Sequence, residues 1–502
     1  MLVRGIRPAD PLPGDAESLE DDALTAVTRA GVISGTVGFA ARAISQLGTL
    51  ALTIVATNKL AIADFGAFAI ASAATFFCRN LLYVGAYEFL LKAPPSPTLR
   101  GSCFAANGAV AVMCALGIVL LALAAPLIFG TPVVGELLMW LALSLFLVMF
   151  TSLFEAQLLR RQRLKHFYAL TISGDLVGAV AGIAALLAGV GVMALVLQTY
   201  ARLGTIFLAY LLSGSELSVG RADRPTIVEI LRWSASRYAS VVVNFCTVYG
   251  ADFILGALLT PAAAGLYRAS NRVVSAVSDL FAQPLLKIAQ TNISARMARG
   301  EPPGKDWLAI SRVVATFGWG ALAGLAVLAG WLVPALLGDK WAAAVPIVVM
   351  FCAAKAVSLL DGSVASLLVC ADRQRFIFTV QSVSAVATLA AGFLLAPRGP
   401  FVVAIATSLV ALATSTVLFR AAARLTAVSS RETVTALGRA ALPALGVVTA
   451  VAISGMLEPD GLSASAHAAV ALGAGIVGGV AGLLVVGRSL LRSPAKMGLG
   501  MP

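Results

Sequence analysis

The stretch GLYRASNRVVSAVSDLF, residues 265–281, sets Arg268, Arg272 and Asp279 into an otherwise apolar run. A charge at the centre of a bilayer costs about 2.5–3.5 kcal/mol on insertion scales, so such residues persist only where something compensates them. On a helical wheel, Arg268, Asn271, Arg272, Ser275, Asp279 and Gln283 share one arc, and Val273, Val277, Leu280 and Phe281 take the other side. A half-polar helix in lipid must turn its polar half toward protein or a water-filled cavity. Arginines in such a cavity suit a phosphate-bearing ligand, because the guanidinium keeps its charge and donates paired hydrogen bonds. The competing use is an interhelical ion pair, for example Asp252 or Asp279 with an arginine, that only fixes packing.

The same pattern recurs upstream. Ser72, Arg79, Tyr83 and Tyr87 share one helical face, and an arginine beside tyrosines suits phosphate or sugar. Tyrosine near a span end is also an ordinary interfacial anchor.

These residues need membrane helices to hold them. The 502-residue chain is 59% hydrophobic and only 12% charged, whereas soluble domains carry roughly 25% charged residues. Its apolar runs reach the roughly 20 residues that cross a bilayer. Fourteen spans are expected, at 33–56, 65–91, 103–125, 134–158, 168–188, 190–213, 233–259, 262–292, 307–337, 341–370, 376–396, 400–420, 440–457 and 464–487. Of the 36 Lys and Arg, 24 then fall in one set of alternate connections and termini, and only Lys59, Lys340 and Arg398 in the other. That asymmetry places both termini in the cytoplasm. The net charge of +12 follows from this orientation, and no nucleic-acid partner is expected.

The first residues are acidic (Asp10, Asp15, Glu17, Glu20, Asp21, Asp22), unlike a cleavable signal peptide. They are expected to form a cytoplasmic tail. The six cysteines lie in or beside apolar runs without CxxC spacing, and His166 and His467 stand alone. Cysteines so placed act as small packing residues, and no metal or cofactor site is expected.

Nine basic residues remain inside the spans: Arg42, Arg79, Arg202, Arg237, Arg268, Arg272, Lys287, Arg312 and Lys355. They face Glu88, Glu155, Asp175, Asp252, Asp279 and Asp361, leaving a positive excess of three. Arg237, Lys287, Arg312, Glu155 and Glu88 sit near cytoplasmic span ends, where long side chains reach the interface. Glu88 can also pair with Lys92 one turn on. A surplus of buried cations without partners or water is hard to sustain, which favours a hydrated cationic cavity.

Two weak internal similarities suggest paired halves. FGAFAIAS (65–72) resembles AGLYRAS (264–270), and AQLLRRQRLKHF (156–167) resembles ASLLVCADRQRF (365–376). Same-orientation repeats of six spans are a transporter architecture with the substrate between the halves. The expected organisation is an acidic tail (1–32), an N-terminal six-helix bundle (33–213), a linker (214–232), a C-terminal bundle (233–420), helices thirteen and fourteen (421–487) and a cytoplasmic tail (488–502). GAGIVG (473–478) matches GxGxxG but lies inside an apolar span with no strand before it. Its glycines suit close helix packing in lipid instead.

YGADFILGALLTPAAAGLYRASNRV (249–273) and FGAFAIASAATFF (65–77) resemble the seventh-to-eighth and second spans of bacterial polysaccharide-biosynthesis flippases. These belong to the multidrug/oligosaccharidyl-lipid/polysaccharide (MOP) superfamily and translocate O-antigen and exopolysaccharide repeat units. The resemblance implies an all-α integral membrane fold of two six-helix bundles around a central cationic cavity, plus two extra helices. It implies a polyprenyl-pyrophosphate-linked oligosaccharide as substrate, surrounding membrane lipids, and polymerase or export machinery as partners in the bacterial inner membrane. Arg268, Arg272 and Asp252 match the motif directly. Arg42, Arg79 and Lys355 join the expected cavity by depth alone. Asp252, Asp279 and Glu88 are the candidates for coupling or ion pairing.

The expected activity is therefore alternating-access flipping of an anionic lipid-linked glycan, without enzymatic chemistry. A cation-coupled multidrug antiporter of the same superfamily would want an acidic cavity. A membrane-embedded glycan polymerase would normally need a sizeable extramembrane loop with clustered acids, and the outer loops are short.

Overall fold

The computed structural model describes residues 45–161, 163–212, 220–299, 302–426, 428–457 and 464–491. Among them the chain is helical, with no strand. The first half supplies α1 (45–59), α2 (Ile62–Val84), α3 (Ala86–Lys92), α4 (Leu99–Phe129), α5 (Pro132–Arg160), α6 (Leu164–Leu187) and α7 (Met193–Leu212). The second supplies α8 (Arg224–Leu258), α9 (Pro261–Ala298), α10 (Gly304–Leu337), α11 (Val345–Ser358), α12 (Asp361–Cys370), α13 (Gln374–Leu395) and α14 (Pro400–Thr426). Then follow α15 (Ser430–Ala440), α16 (Leu442–Leu457) and α17 (Ala464–Leu491).

Local sequence sets the helix starts. Thr131 accepts the Val133 N–H and is followed by Pro132, so α5 begins with one orphan donor satisfied and another absent. Asp223 caps α8 through the Thr226 N–H, and Ser429 with Glu432 forms a capping box on α15.

Among the described residues, twelve helices are long and apolar enough to cross a membrane. The described part of α1 and the 38-residue α9 lie outside that set, in rough agreement with the fourteen spans expected. The helix α9 falls outside the apolar set because it carries the polar arc.

Within the first half α4 packs on α5, α6 on α7, and α2 on α5; within the second α8 packs on α13, and α11 on α14. The halves meet chiefly where α2 lies against α8 and α9. At one end of this seam, a Cβ on Gly66 would stand 1.7 Å from the Pro261 carbonyl oxygen, and one on Gly265 would stand 3.0 Å from the Gly66 Cα. These are the glycines that the repeat similarity equates, and only hydrogen lets the two backbones come this close. The helices α16 and α17 form a hairpin on the outside of α10, in which Gly478 of the GAGIVG run packs against Gly446.

Candidate functional site: a cationic cavity between the halves

Thr260 and Pro261 start α9: the Thr260 hydroxyl oxygen accepts the Ala263 N–H at 3.2 Å, and proline occupies the first helical position. Three buried contacts then fix its rotation. The Tyr267 hydroxyl meets Thr407 Oγ1 at 2.9 Å, its ring lies edge-on to Phe351, and Ala264 is wholly buried. With Tyr267 turned onto α11 and α14, Arg268, Asn271, Arg272 and Ser275 all open onto a cavity of about 800 Å³. The arc read from the sequence thus lies on the cavity as far as Ser275. Asp279 is not among the lining residues, and the side chain of Gln283 lies outside the described residues.

The remaining wall comes from α1, α2, α6, α7 and α8, with Leu141 of α5. Arg79 enters from α2, Tyr249 from α8, Asp175 from α6 and Arg202 from α7. A glycine stripe on α6 sets up this last pair. Any Cβ on Gly178 would stand 2.8 Å from the Arg202 Cβ, and one on Gly182 would stand 2.8 Å from the Gln198 Cβ. The close approach of α6 to α7 lets Arg202 donate to Asp175, which also accepts the Ser45 hydroxyl from α1.

The four guanidiniums divide in two. Arg202 pairs with Asp175, and Arg268 pairs with the fully buried Asp252 of α8. Arg79 and Arg272 have no carboxylate partner among the described residues; the Arg79 Nε is buried without any hydrogen-bond acceptor, and Arg272 is exposed to the cavity. Four guanidiniums thus face two carboxylates, a surplus of two positive charges. Tyr249 sits among them: its ring lies 4.0 Å beneath the Arg268 guanidinium, and Arg79 and Arg272 are within electrostatic range. Such an arrangement suits an acceptor-rich anion, since leaving the surplus charge dry and alone is costly.

Other expected residues go elsewhere. Arg42 lies outside the described residues. Lys355 does not line the cavity; it sits on α11 within electrostatic reach of Asp361, because depth in the bilayer says nothing about which way a helix is turned. Glu88 bonds Arg237 of α8 at 3.1 Å instead of Lys92, and the Arg237 guanidinium stacks 3.4 Å from the Trp233 ring. Tyr83 and Tyr87 donate to the Glu155 carboxylate at 3.2 and 2.9 Å, so the two tyrosines below Arg79 bind a carboxylate and not the cavity. Arg202, Asp175 and Tyr249 line the cavity without belonging to the site expected from sequence. The i, i+4 pairing of Gln198 with Arg202, opposite glycines 174, 178 and 182, was the signal that could have found the first two.

One end of the cavity is sealed where the turn after α1 docks on the short 3-10 helix Asp339–Ala344. Asn58 donates to the Leu336 carbonyl at 2.8 Å, Lys340 to the carbonyls of Asn58 and Leu60, and the Trp341 indole to the Thr57 carbonyl at 3.0 Å. Phe65 meets the Trp341 ring edge-on at 5.4 Å.

Residues 60–346, more than half of the chain, match the family model described as polysaccharide biosynthesis protein. The chain is 24% identical over 346 residues, 66% of its length and 68% of the relative's, to the succinoglycan biosynthesis transport protein ExoT of Rhizobium meliloti (strain 1021). Its fold is similar to that of the lipid II flippase MurJ in an inward closed conformation, with a TM-score of 0.73 at 14% identity, covering 90% of this chain and 99% of that one. It is also similar to an inward-facing multidrug resistance MATE family transporter of the MOP superfamily, with a TM-score of 0.56 at 12% identity, covering 79% and 96%. The chain therefore belongs to the polysaccharide biosynthesis protein family and is built on the MOP transporter fold.

Proposed function

We infer that the protein flips an anionic polyprenyl-pyrophosphate-linked oligosaccharide across the bacterial inner membrane, for the synthesis of a surface or exported polysaccharide. The observation that carries this reading is the pair Arg79 and Arg272, two guanidiniums without carboxylate partners among the described residues, on one large cavity. Each can give a pyrophosphate two parallel hydrogen bonds as well as charge. The family and the transport relative support a cargo of the same kind. A cationic multidrug substrate would meet the surplus positive charge and be repelled.

In this reading the basic connections lie in the cytoplasm, and the seal at Trp341 closes the outer end. The headgroup occupies the cavity, the prenyl chain stays in lipid, and rocking of the halves along α2, α8 and α9 opens the two sides in turn. An outward-moving anion is helped by the membrane potential, by roughly 2.3 kcal/mol per charge per 100 mV. The test is the double variant Arg79→Gln/Arg272→Gln, expected to reach the membrane folded yet accumulate lipid-linked glycan on the cytoplasmic leaflet. Normal glycan export by this variant would overturn the reading.

A further inference from the structure

Among the described residues, eight serine and threonine side chains line the cavity, and each has already committed its one hydroxyl hydrogen within the protein. Thr49 donates to the Ser45 carbonyl at 2.9 Å, Thr53 to the Thr49 carbonyl at 2.8 Å, and Thr199 to the Leu195 carbonyl at 3.1 Å. Ser72, Thr75 and Thr171 likewise donate to carbonyls of their own helices. Ser45 gives its hydrogen to Asp175, and Ser275 to Asn271 Oδ1. A hydroxyl whose hydrogen is spent offers only lone pairs to a ligand.

Five of the eight stand on one wall, formed by α1, α6 and α7, and Ser72, Thr75 and Ser275 stand across from it. Ser45, Thr49 and Thr53 succeed one another at four-residue spacing along α1 and so share a face. The α6–α7 pair stands beside them: Ser45 bonds Asp175, and the Leu52 and Gln198 side chains flank the same glycine, Gly182. Gln198 and Thr199 extend the wall, and the amide of Gln198 adds both a donor and an acceptor. The other wall carries the guanidiniums of Arg79 and Arg272, which have no carboxylate partner among the described residues, beside the Tyr249 hydroxyl.

The two walls therefore select opposite chemistry. A pyrophosphate diester has oxygens and no hydrogens, so it pairs with the free guanidiniums and meets lone pairs at the α1 hydroxyls. A sugar hydroxyl both donates and accepts, so it can satisfy the acceptor wall. We propose that the α1–α6–α7 wall is a glycan subsite that takes hydrogen bonds from the hydroxyls of a neutral sugar adjoining the lipid pyrophosphate. A carboxylated sugar is disfavoured there, because its acid group brings acceptors to acceptors and the guanidinium on that wall, Arg202, is already held by Asp175. The proposal rests on the transport reading above and adds which part of the substrate each wall holds.

The experiment measures binding of two probes to the full-length protein in nanodiscs: undecaprenyl pyrophosphate, and the same lipid carrying one neutral hexose. The expected preference of the wild type for the glycosylated lipid is about tenfold, the size of one or two net hydrogen bonds. Thr49→Val/Thr53→Val keeps side-chain shape and removes two acceptors. It is expected to cut that preference to about twofold or less while bare-lipid affinity stays within about twofold, which also reports a folded cavity. Gln198→Ala is expected to act in the same direction, and a hexuronic acid in place of the hexose to bind more weakly than the hexose. Equal affinity of the wild type for both lipids, or an undiminished preference in both variants, overturns the glycan subsite alone. Binding of neither lipid by the wild type overturns the transport reading with it.

Discussion

The Arg268 guanidinium lies 4.0 Å over the Tyr249 ring. The same guanidinium donates to Asp252, whose side chain is 1% exposed. Arg268 is thus held on two sides by α8, the helix that precedes its own, and behaves as part of the wall. Arg272, one turn along, has neither restraint and opens onto the cavity.

This division sets the first expectation. Arg268→Gln strips the partner from a buried carboxylate and should destabilise the protein by about 3–5 kcal/mol, the cost of breaking a buried ion pair. Arg272→Gln should leave stability nearly unchanged. Melting of the two detergent-purified variants checks this, and equal losses would contradict the division.

Arg272→Lys should be a poor substitute despite keeping the charge. Lysine presents a point charge where the guanidinium offers a planar fork. Undecaprenyl pyrophosphate should bind at least about tenfold more weakly, the loss of one charge-assisted hydrogen bond. Titration of the lipid against the purified variant measures it.

The Glu155 cluster should answer to its tyrosines. Both carboxylate oxygens accept phenol hydrogens. Tyr83→Phe/Tyr87→Phe leaves the charge without those donors and should cost about 1.5–3 kcal/mol per bond lost. Glu155→Gln removes the charge while keeping an acceptor, and should be milder. Thermal unfolding of the two variants gives the order.

Gly66→Ala should open the seam. The added Cβ would lie 1.7 Å from the Pro261 carbonyl oxygen, so α2 and α9 cannot keep their spacing. Thr57 is fully buried beneath the seal. In a background lacking the six native cysteines, Thr57→Cys should react faster with an impermeant maleimide when Gly66→Ala is present. An unchanged rate would show that the seal does not depend on this approach.

The sequence carried the helix count and the polar face of α9, because both depend on local periodicity. A run of apolar residues long enough to span lipid announces itself, and Arg268, Asn271, Arg272 and Ser275 recur at helical spacing. Pairings between helices were less legible. Asp175 and Arg202 are 27 residues apart, and their contact depends on a glycine stripe of one helix facing the next, a signal weaker than a polar arc. Lys355 illustrates the complementary failure, since its depth was readable and its direction was not. Tyr83 and Tyr87 were assigned to the face of Arg79, but a carboxylate 72 and 68 residues away claims their hydroxyls.

The closure at Trp341 is made largely from main-chain oxygens: Thr57, Asn58, Leu60 and Leu336 each receive a side-chain hydrogen bond from across the seam. Water can replace each of those donors in turn, and no carboxylate is stranded when the faces part. At about 0.5–1.5 kcal/mol net for each bond, the latch is loose enough to release and re-form in the alternating access proposed above. Architecture of this kind favours a door that swings over a lock that holds.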